Sequence, residues 1–269
     1  MMAWLSDGWE LFGASYVVGW AMAVALPLAG IPVVAREQAL LGTGLVQMGA
    51  VGFAAAIAFG LGAPAVWAFV AIAAATVLAQ RPPARERPEA VAASMILAGG
   101  ALTMLLLAGN AGGLERLANL TSPSLLGAAW GSAGVAIAAA VVVAAVAVVF
   151  GRRVLVAAWE PRLARLQGVK PGVVGALSAL LLALLLAASL QLSGSLLTTA
   201  LLVLPALAAR RFARRLAWVP WLAVVIAEVC VTAGYAIAWS ADLPPGQVAV
   251  ALLGGAMVLS WLWPPSWRS

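Results

Sequence analysis

Long uncharged stretches alternate with short charged clusters along the whole of this 269-residue chain. Charge-free runs cover residues 11–35, 38–80, 90–114, 117–151, 171–209 and 243–267. A helix that crosses a bilayer needs about 20 mostly apolar residues. Every run is long enough for one crossing, and 38–80 and 171–209 each hold two thin crossings and a turn. With the segment around Glu228 added, the pattern predicts about nine helices. They run near 12–34, 39–59, 63–80, 90–109, 126–150, 172–192, 195–209, 218–239 and 247–263. The fold class is all-α, a polytopic integral membrane protein; an eight-helix threading is the alternative.

Composition agrees with this pattern. The chain is 65% hydrophobic and 9% charged, too few charges to clothe a water-soluble fold of this length. The basic residues then test the threading. With nine helices, one face collects Arg36, the group Arg81, Arg85 and Arg87, the group Arg152, Arg153, Arg162, Arg165 and Lys170, the group Arg210, Arg211, Arg214 and Arg215, and Arg268. Of the 15 basic residues only Arg116 falls opposite. Basic loops stay in the cytoplasm, which predicts an outer N-terminus and a cytoplasmic C-terminus in the cell (inner) membrane. Asp7, Glu10, Glu115 and Asp242 then lie outside. Trp4, Trp9, Trp239, Trp261, Trp263 and Trp267 fall near predicted interfaces, where indole rings sit well. Removing one helix scatters the basic residues across both faces, which favours the odd number.

Several chemistries drop out. There is no histidine and one cysteine, Cys230, so no His-based catalytic triad, no HExxH zinc site and no disulfide framework are available. The single lysine, Lys170, precedes Pro171 and belongs to no phosphate-binding loop. The net charge of +6 reflects loop arginines; no basic stripe interleaved with aromatics suggests nucleic-acid binding. The N-terminus lacks a basic region and does not read as a cleavable signal. Catalysis by this chain is not expected. A relay of intramembrane carboxylates is also missing. Glu228 is the exception, with Thr232 and Tyr235 one and two turns later on about the same face.

Three local features bear on function. Residues 159–170 read as a short helix with Glu160 placed to cap it, Pro161 in the first turn and Gly168 at the end. Its apolar positions are Leu163, Ala164 and Leu166, and its basic positions Arg162 and Arg165. From local sequence alone it reads as an amphipathic turn on lipid headgroups. Ser193-Gly194-Ser195 breaks a long uncharged run into a hairpin or a broken helix. Pro205 removes a backbone donor mid-helix, a feature equally consistent with a pathway lining and with a plain kink. Thr198 and Thr199 read as bonding back to their own helix, and Arg210 to Arg215 as a topology anchor.

The stretch Trp159–Lys170 resembles the (D/E)-P-x-x-A-x-x-x-G element in permease subunits of metal-type ABC importers, the zinc and manganese uptake family. Residues 194–214 (GSLLTTALLVLPALAARRFAR) look like that family's G-x-L-L-x-x-x-L-L-x-x-P-A-x-x-A-R block. Asp242-Leu-Pro-Pro-Gly246 is similar to its D-x-P-x-G turn, and Pro27 to Gly52 follows its second-helix block in outline. The resemblance implies one transmembrane permease domain over 1–269, with Glu160, Pro161, Ala164 and Gly168 in the coupling helix that docks on a separate ATPase. Arg162 and Arg165 are assigned to acidic groups on that ATPase by charge, not by motif. The resemblance also implies ATP-Mg bound by the ATPase, a second copy of the chain, an extracytoplasmic solute-binding protein and a lipid environment.

The departure from the family is as informative. Its second helix carries G-D-x-x-x-H, whose Asp and His are the expected metal ligands. Here the alignment gives Thr43 and Gln47, neutral groups that bind Zn²⁺ or Mn²⁺ poorly. The remaining pathway candidates are Met48, Thr198, Pro205 and Glu228, and the metal ligands are not assigned. Two readings follow: a transition metal passing without a strong site, or a switch to a non-metal or chelated solute. A non-transporting scaffold, with Gly127 to Gly131 as a helix-contact stripe, is the reading from another class.

Overall fold

A computed structural model of the chain describes residues 3–80, 88–109, 115, 128–213 and 215–262. Every regular element among them is helical. In chain order they are α1 (Ala3–Ala35), α2 (Ala39–Ala58), α3 (Pro64–Gln80), α4 (Pro88–Ala108), α5 (Trp130–Trp159), α6 (Pro161–Leu166), α7 (Pro171–Phe212), α8 (Val219–Ala241) and α9 (Pro245–Leu262). A single 3₁₀ turn, Leu216–Trp218, leads into α8. Arg81, Arg85, Arg87, Arg116, Arg214, Arg268, Trp263 and Trp267 lie outside the described residues.

The predicted and observed elements correspond closely, with two differences in length. α1 begins at Ala3, nine residues before the predicted start at residue 12. α5 continues past residue 150 to Trp159, so Arg152 and Arg153 stand on a helix and not in a loop. A 30-residue helix is about 45 Å long, against a hydrocarbon core of about 30 Å. α5 therefore overhangs the apolar slab, and the arginine stems reach water from its flank. Seven described helical runs are long and apolar enough to cross a membrane, with Gly172–Phe212 counted once; Pro64–Ala79 is shorter.

The run that forms α7 is not one straight rod. Gly194 sits at φ 73°, ψ 173°, a backbone region that essentially only glycine inhabits. Ser189 and Thr198 are nine residues apart, about 13.5 Å along an ideal helix. Their hydroxyls nevertheless pair at 2.7 Å, so the limb before Gly194 and the limb after it bend back toward each other. The expectation that Thr198 bonds to its own helix backbone is thus corrected: the bend brings Ser189 within reach first.

This bent element is the centre of the molecule. α7 packs against α1, α2, α3, α5, α8 and α9. Its core residues Leu186, Leu190, Leu201 and Leu202 are fully buried. Small residues let the neighbours close in. Gly30 of α1 lies directly against the Leu202 carbonyl. A Cβ on Gly99 of α4 would meet the Gln47 Cβ at 3.0 Å, and one on Gly234 of α8 would meet Ala249 at 3.0 Å. The opposite end of α1 is held by aromatics. Trp9 stacks on Trp20 at 6.4 Å, Trp9 meets Trp130 edge-on at 6.3 Å, and Tyr16 tilts against Tyr235 at 4.7 Å. Of the interface tryptophans read from sequence, Trp9 and Trp239 join this cluster, and Trp239 packs on Phe12. Side chains such as Leu97, Leu105 and Val148 are exposed, the arrangement a hydrocarbon surround requires.

Candidate functional site

The short helix forms where the sequence places it, and its ends explain its residues. Pro161 occupies the first turn, where its missing N–H costs nothing. Gly168 has φ 74°. The Gly168 N–H bonds to the Arg165 carbonyl at 3.1 Å and the Val169 N–H to the Ala164 carbonyl at 3.0 Å. That pair of bonds is a Schellman closure, and it needs the left-handed residue that glycine supplies. Glu160 stands at the cap position, but its side chain makes no capping bond. The capping role expected of it is therefore not realised, and the carboxylate stays exposed.

The faces of α6 are unequal. Ala164 is 0% exposed and seats the helix on the body, while Leu163 is 46% and Leu166 86% exposed. Arg162 and Arg165 are exposed beside them. Two leucines and two arginines stand outward on a helix of six residues, next to a free carboxylate. Exposed apolar surface of this kind marks a contact surface.

Arg210 ties this element to the rest. Its Nη1 donates to the Val34 carbonyl at the end of α1, at 3.0 Å, and its guanidinium lies 6.0 Å from the Trp159 ring. Trp159 directly precedes the cap of α6. A cation at the carbonyl end of α1 also suits the helix dipole. Sequence reasoning missed this role, because nothing in the run Arg210, Arg211, Arg214 and Arg215 marks which member bonds to α1. Arg36, just past α1, is half-buried, and burial alone pushes its pKa down.

The pathway candidates are not gathered in one place. Thr43 donates its hydroxyl to the Ala39 carbonyl at 3.4 Å, on its own helix. Gln47 lies against Gly99 of α4, and Met48 packs on the hydrophobic core. Thr198 is fully buried in its pair with Ser189. Pro205 is buried within the second limb of α7. Glu228 stands half-buried on α8. One turn further, Thr232 accepts from Trp20 Nε1 at 3.1 Å, and Tyr235 donates to the Ser15 carbonyl at 3.1 Å. That face of α8 therefore packs on α1, whereas α2 packs chiefly on α3, α4 and α7 and only slightly on α1. Thr43 and Gln47 do not converge on Glu228 within one chain. No group of three or more Cys, Asp and Glu suited to a metal ion occurs among the described residues. Gly131 of the proposed contact stripe faces open space, and Gly127 lies outside the described residues.

Comparison with known proteins places this architecture. PsaBC from Streptococcus pneumoniae, solved in complex with a Fab, superposes with a TM-score of 0.86 at 18% identity, over 100% of this chain and 98% of that one. A protein described as a metal-chelate type ABC transporter in an inward-facing conformation superposes with a TM-score of 0.70 at 15% identity, over 96% and 90% of the two chains. At these identities the likeness concerns the fold. The sequence profile of the ABC 3 transport family matches residues 9–263. With nearly the whole length matched, and the permease blocks of the metal-type transporters found on α6, α7 and the α8–α9 turn, this membrane protein belongs to the ABC 3 transport family.

Proposed function

We propose that this chain is the membrane-spanning subunit of an ATP-driven importer, working as a pair of identical copies. The observation that carries the reading is α6: buried through Ala164, closed by Gly168, and presenting Leu163, Leu166, Arg162 and Arg165 outward. That is the shape of a docking knob for a soluble motor. An ATPase subunit binding ATP-Mg sits beneath it, and an extracytoplasmic binding protein delivers the solute to the other face. α6 then lies on the cytoplasmic side, with the N-terminus outside, the C-terminus inside and about nine crossings. ATP-driven closure of the two motors pushes on α6 and, through Trp159 and Arg210, on the ends of α5, α7 and α1.

The solute is a transition metal ion such as zinc or manganese, passed along without a resident ligand cage, its affinity residing in the binding protein. A second reading is favoured by the state of α2. The Thr43 hydroxyl is already bonded at home and Gln47 is an amide, so this face suits an uncharged or chelated solute better than a bare divalent ion. Proteoliposomes containing the chain and its ATPase separate the readings. Uptake of radiolabelled zinc or manganese that requires ATP and the binding protein supports the first. Uptake of a preformed chelate but not of free metal supports the second. Absence of any ATP-dependent uptake, with ATPase still bound, makes the chain a scaffold and overturns both.

A further inference from the structure

A cavity of about 1180 Å³ opens where the ends of α1 and α5 meet the beginnings of α2 and α7. Its walls are largely apolar, with Leu41, Val143 and Leu182 among them. Among the described residues its charged lining is Arg36, Arg153 and Lys170, with no Asp or Glu. A second recess of about 260 Å³ adjoins it, sharing Arg153 and adding Arg152. The wall hydroxyls are already engaged: Thr76 donates to the Ile72 carbonyl and Ser178 to the Val174 carbonyl, each at 2.7 Å. Beside the neutral amides of Gln38 and Gln167, the cations are the charged handle of this space.

Arg36 makes the strongest demand. It is half-buried, and its guanidinium lies 3.7 Å from the position a Cβ on Gly175 would take. The first turn of α7, from Gly172 to Gly175, lines the same cavity, and a helix N-terminus adds positive potential. A partly desolvated cation beside further positive charge is unfavourable until an anion joins it. The surrounding lining calls for that anion to carry a large apolar body.

We infer that this cavity is a site for an anionic phospholipid, with its phosphate among Arg36, Arg153 and Lys170 and an acyl chain along the apolar wall. Basic pockets between membrane helices on the cytoplasmic side hold phosphate headgroups in this manner. A small free anion satisfies the rim alone and leaves the apolar volume empty. The assignment to the cytoplasmic leaflet rests on the orientation given under Proposed function; the binding chemistry does not. Gln167, Gly168, Val169 and Lys170 contribute to the wall, so a seated lipid also braces the strap between α6 and α7.

The test uses the full chain in phosphatidylcholine nanodiscs doped with phosphatidylglycerol, followed by native mass spectrometry of the extracted protein. The wild-type chain is expected to retain phosphatidylglycerol in preference to phosphatidylcholine. Arg36→Gln should weaken that retention about fivefold, and Arg36→Gln with Lys170→Gln further, at about fivefold per charge. Arg36→Lys should keep most of it. Equal retention of the two lipids by the wild-type chain overturns the inference without any variant. So does unchanged retention in Arg36→Gln. Displacement of the lipid by millimolar inorganic phosphate or citrate also overturns it and makes the cavity a small-anion path. ATP-dependent uptake is read separately, so absence of a lipid preference in the wild-type chain, with uptake intact, refutes the site and leaves the transport reading standing.

Discussion

The short helix α6 and the middle of α2 stand in opposite relation to the family pattern they resemble, and the contrast says what each needs. At α6 every residue with a special backbone or contact duty is present: Pro161 opens the helix, Ala164 seats it, Gly168 closes it. On α2 glycines pack closely, with Gly42 against Leu202 and Gly44 against Met95, while Thr43 and Gln47 stand where the resemblance drawn from sequence implies ionisable ligands. Helix packing and motor docking constrain shape. Ligand chemistry constrains only the groups that touch the solute. The two sets of residues can therefore vary independently.

The contrast can be broken at several points. The largest effect is expected from Gly194→Val, because both regions hang on the same bent α7. A side chain at φ 73°, ψ 173° costs about 1–3 kcal/mol in backbone strain alone. The melting temperature of the purified protein should fall, and uptake and ATPase stimulation should be lost together; loss of only one would show that the regions do not share a support. Glu160→Ala with Gly168→Leu should act at α6 alone. Placing a leucine in left-handed backbone costs about 1–2 kcal/mol within a short solvent-facing turn. Helical circular dichroism should be unchanged while ATP hydrolysis no longer drives uptake, and preserved coupling would sink the docking role.

Arg210→Ala is expected to be milder. It removes a charged hydrogen bond to the Val34 carbonyl, a loss of about 1.5–3 kcal/mol. It should lower thermal stability and reduce, without abolishing, the uptake obtained per ATP hydrolysed. A coupling ratio equal to that of the wild type would leave Arg210 a purely structural cation. The smallest effect belongs to Thr43→Asp with Gln47→His. Two ligands one turn apart should bring measurable Zn²⁺ affinity by calorimetry, weak for want of further donors. No gain at all would mean that α2 is not the ligand-bearing helix of this fold.

Much of this was legible from residue order. Uncharged runs and clustered arginines gave the helices, since hydrocarbon admits little else. Proline and glycine gave the ends of α6, because their backbone preferences are local. Asp242 closes α8 at φ 53° and Pro245 opens α9, as the D-x-P-x-G resemblance implies. The bend at Gly194 was readable only as a break; its sharpness depends on the Ser189–Thr198 pair, a contact between limbs that no local rule supplies. The length of α5 was misjudged because charge was taken to end a helix, whereas arginine is a good helix former and a helix leaving the apolar slab has no reason to stop. The cation at Arg210 was read as an orientation signal. Its bond to α1 spans 176 residues of sequence and is set by packing. The placement of Thr43 and Gln47 on one helix and Glu228 on another that packs chiefly elsewhere was likewise invisible, since helical periodicity says which face a residue takes and not which neighbour covers it.

The overhang of α5 has a mechanical consequence. A rigid rod pivoting inside the slab acts as a crank, and its free end sweeps further than the buried part. Because α6 is mounted at that end, a small tilt among the bundled helices becomes a displacement at the knob, and a push on the knob returns as torque. Trimming a turn from the rod around Arg152 and Arg153 should draw α6 toward the slab by about 5.4 Å, shorten the stroke and part Trp159 from Arg210.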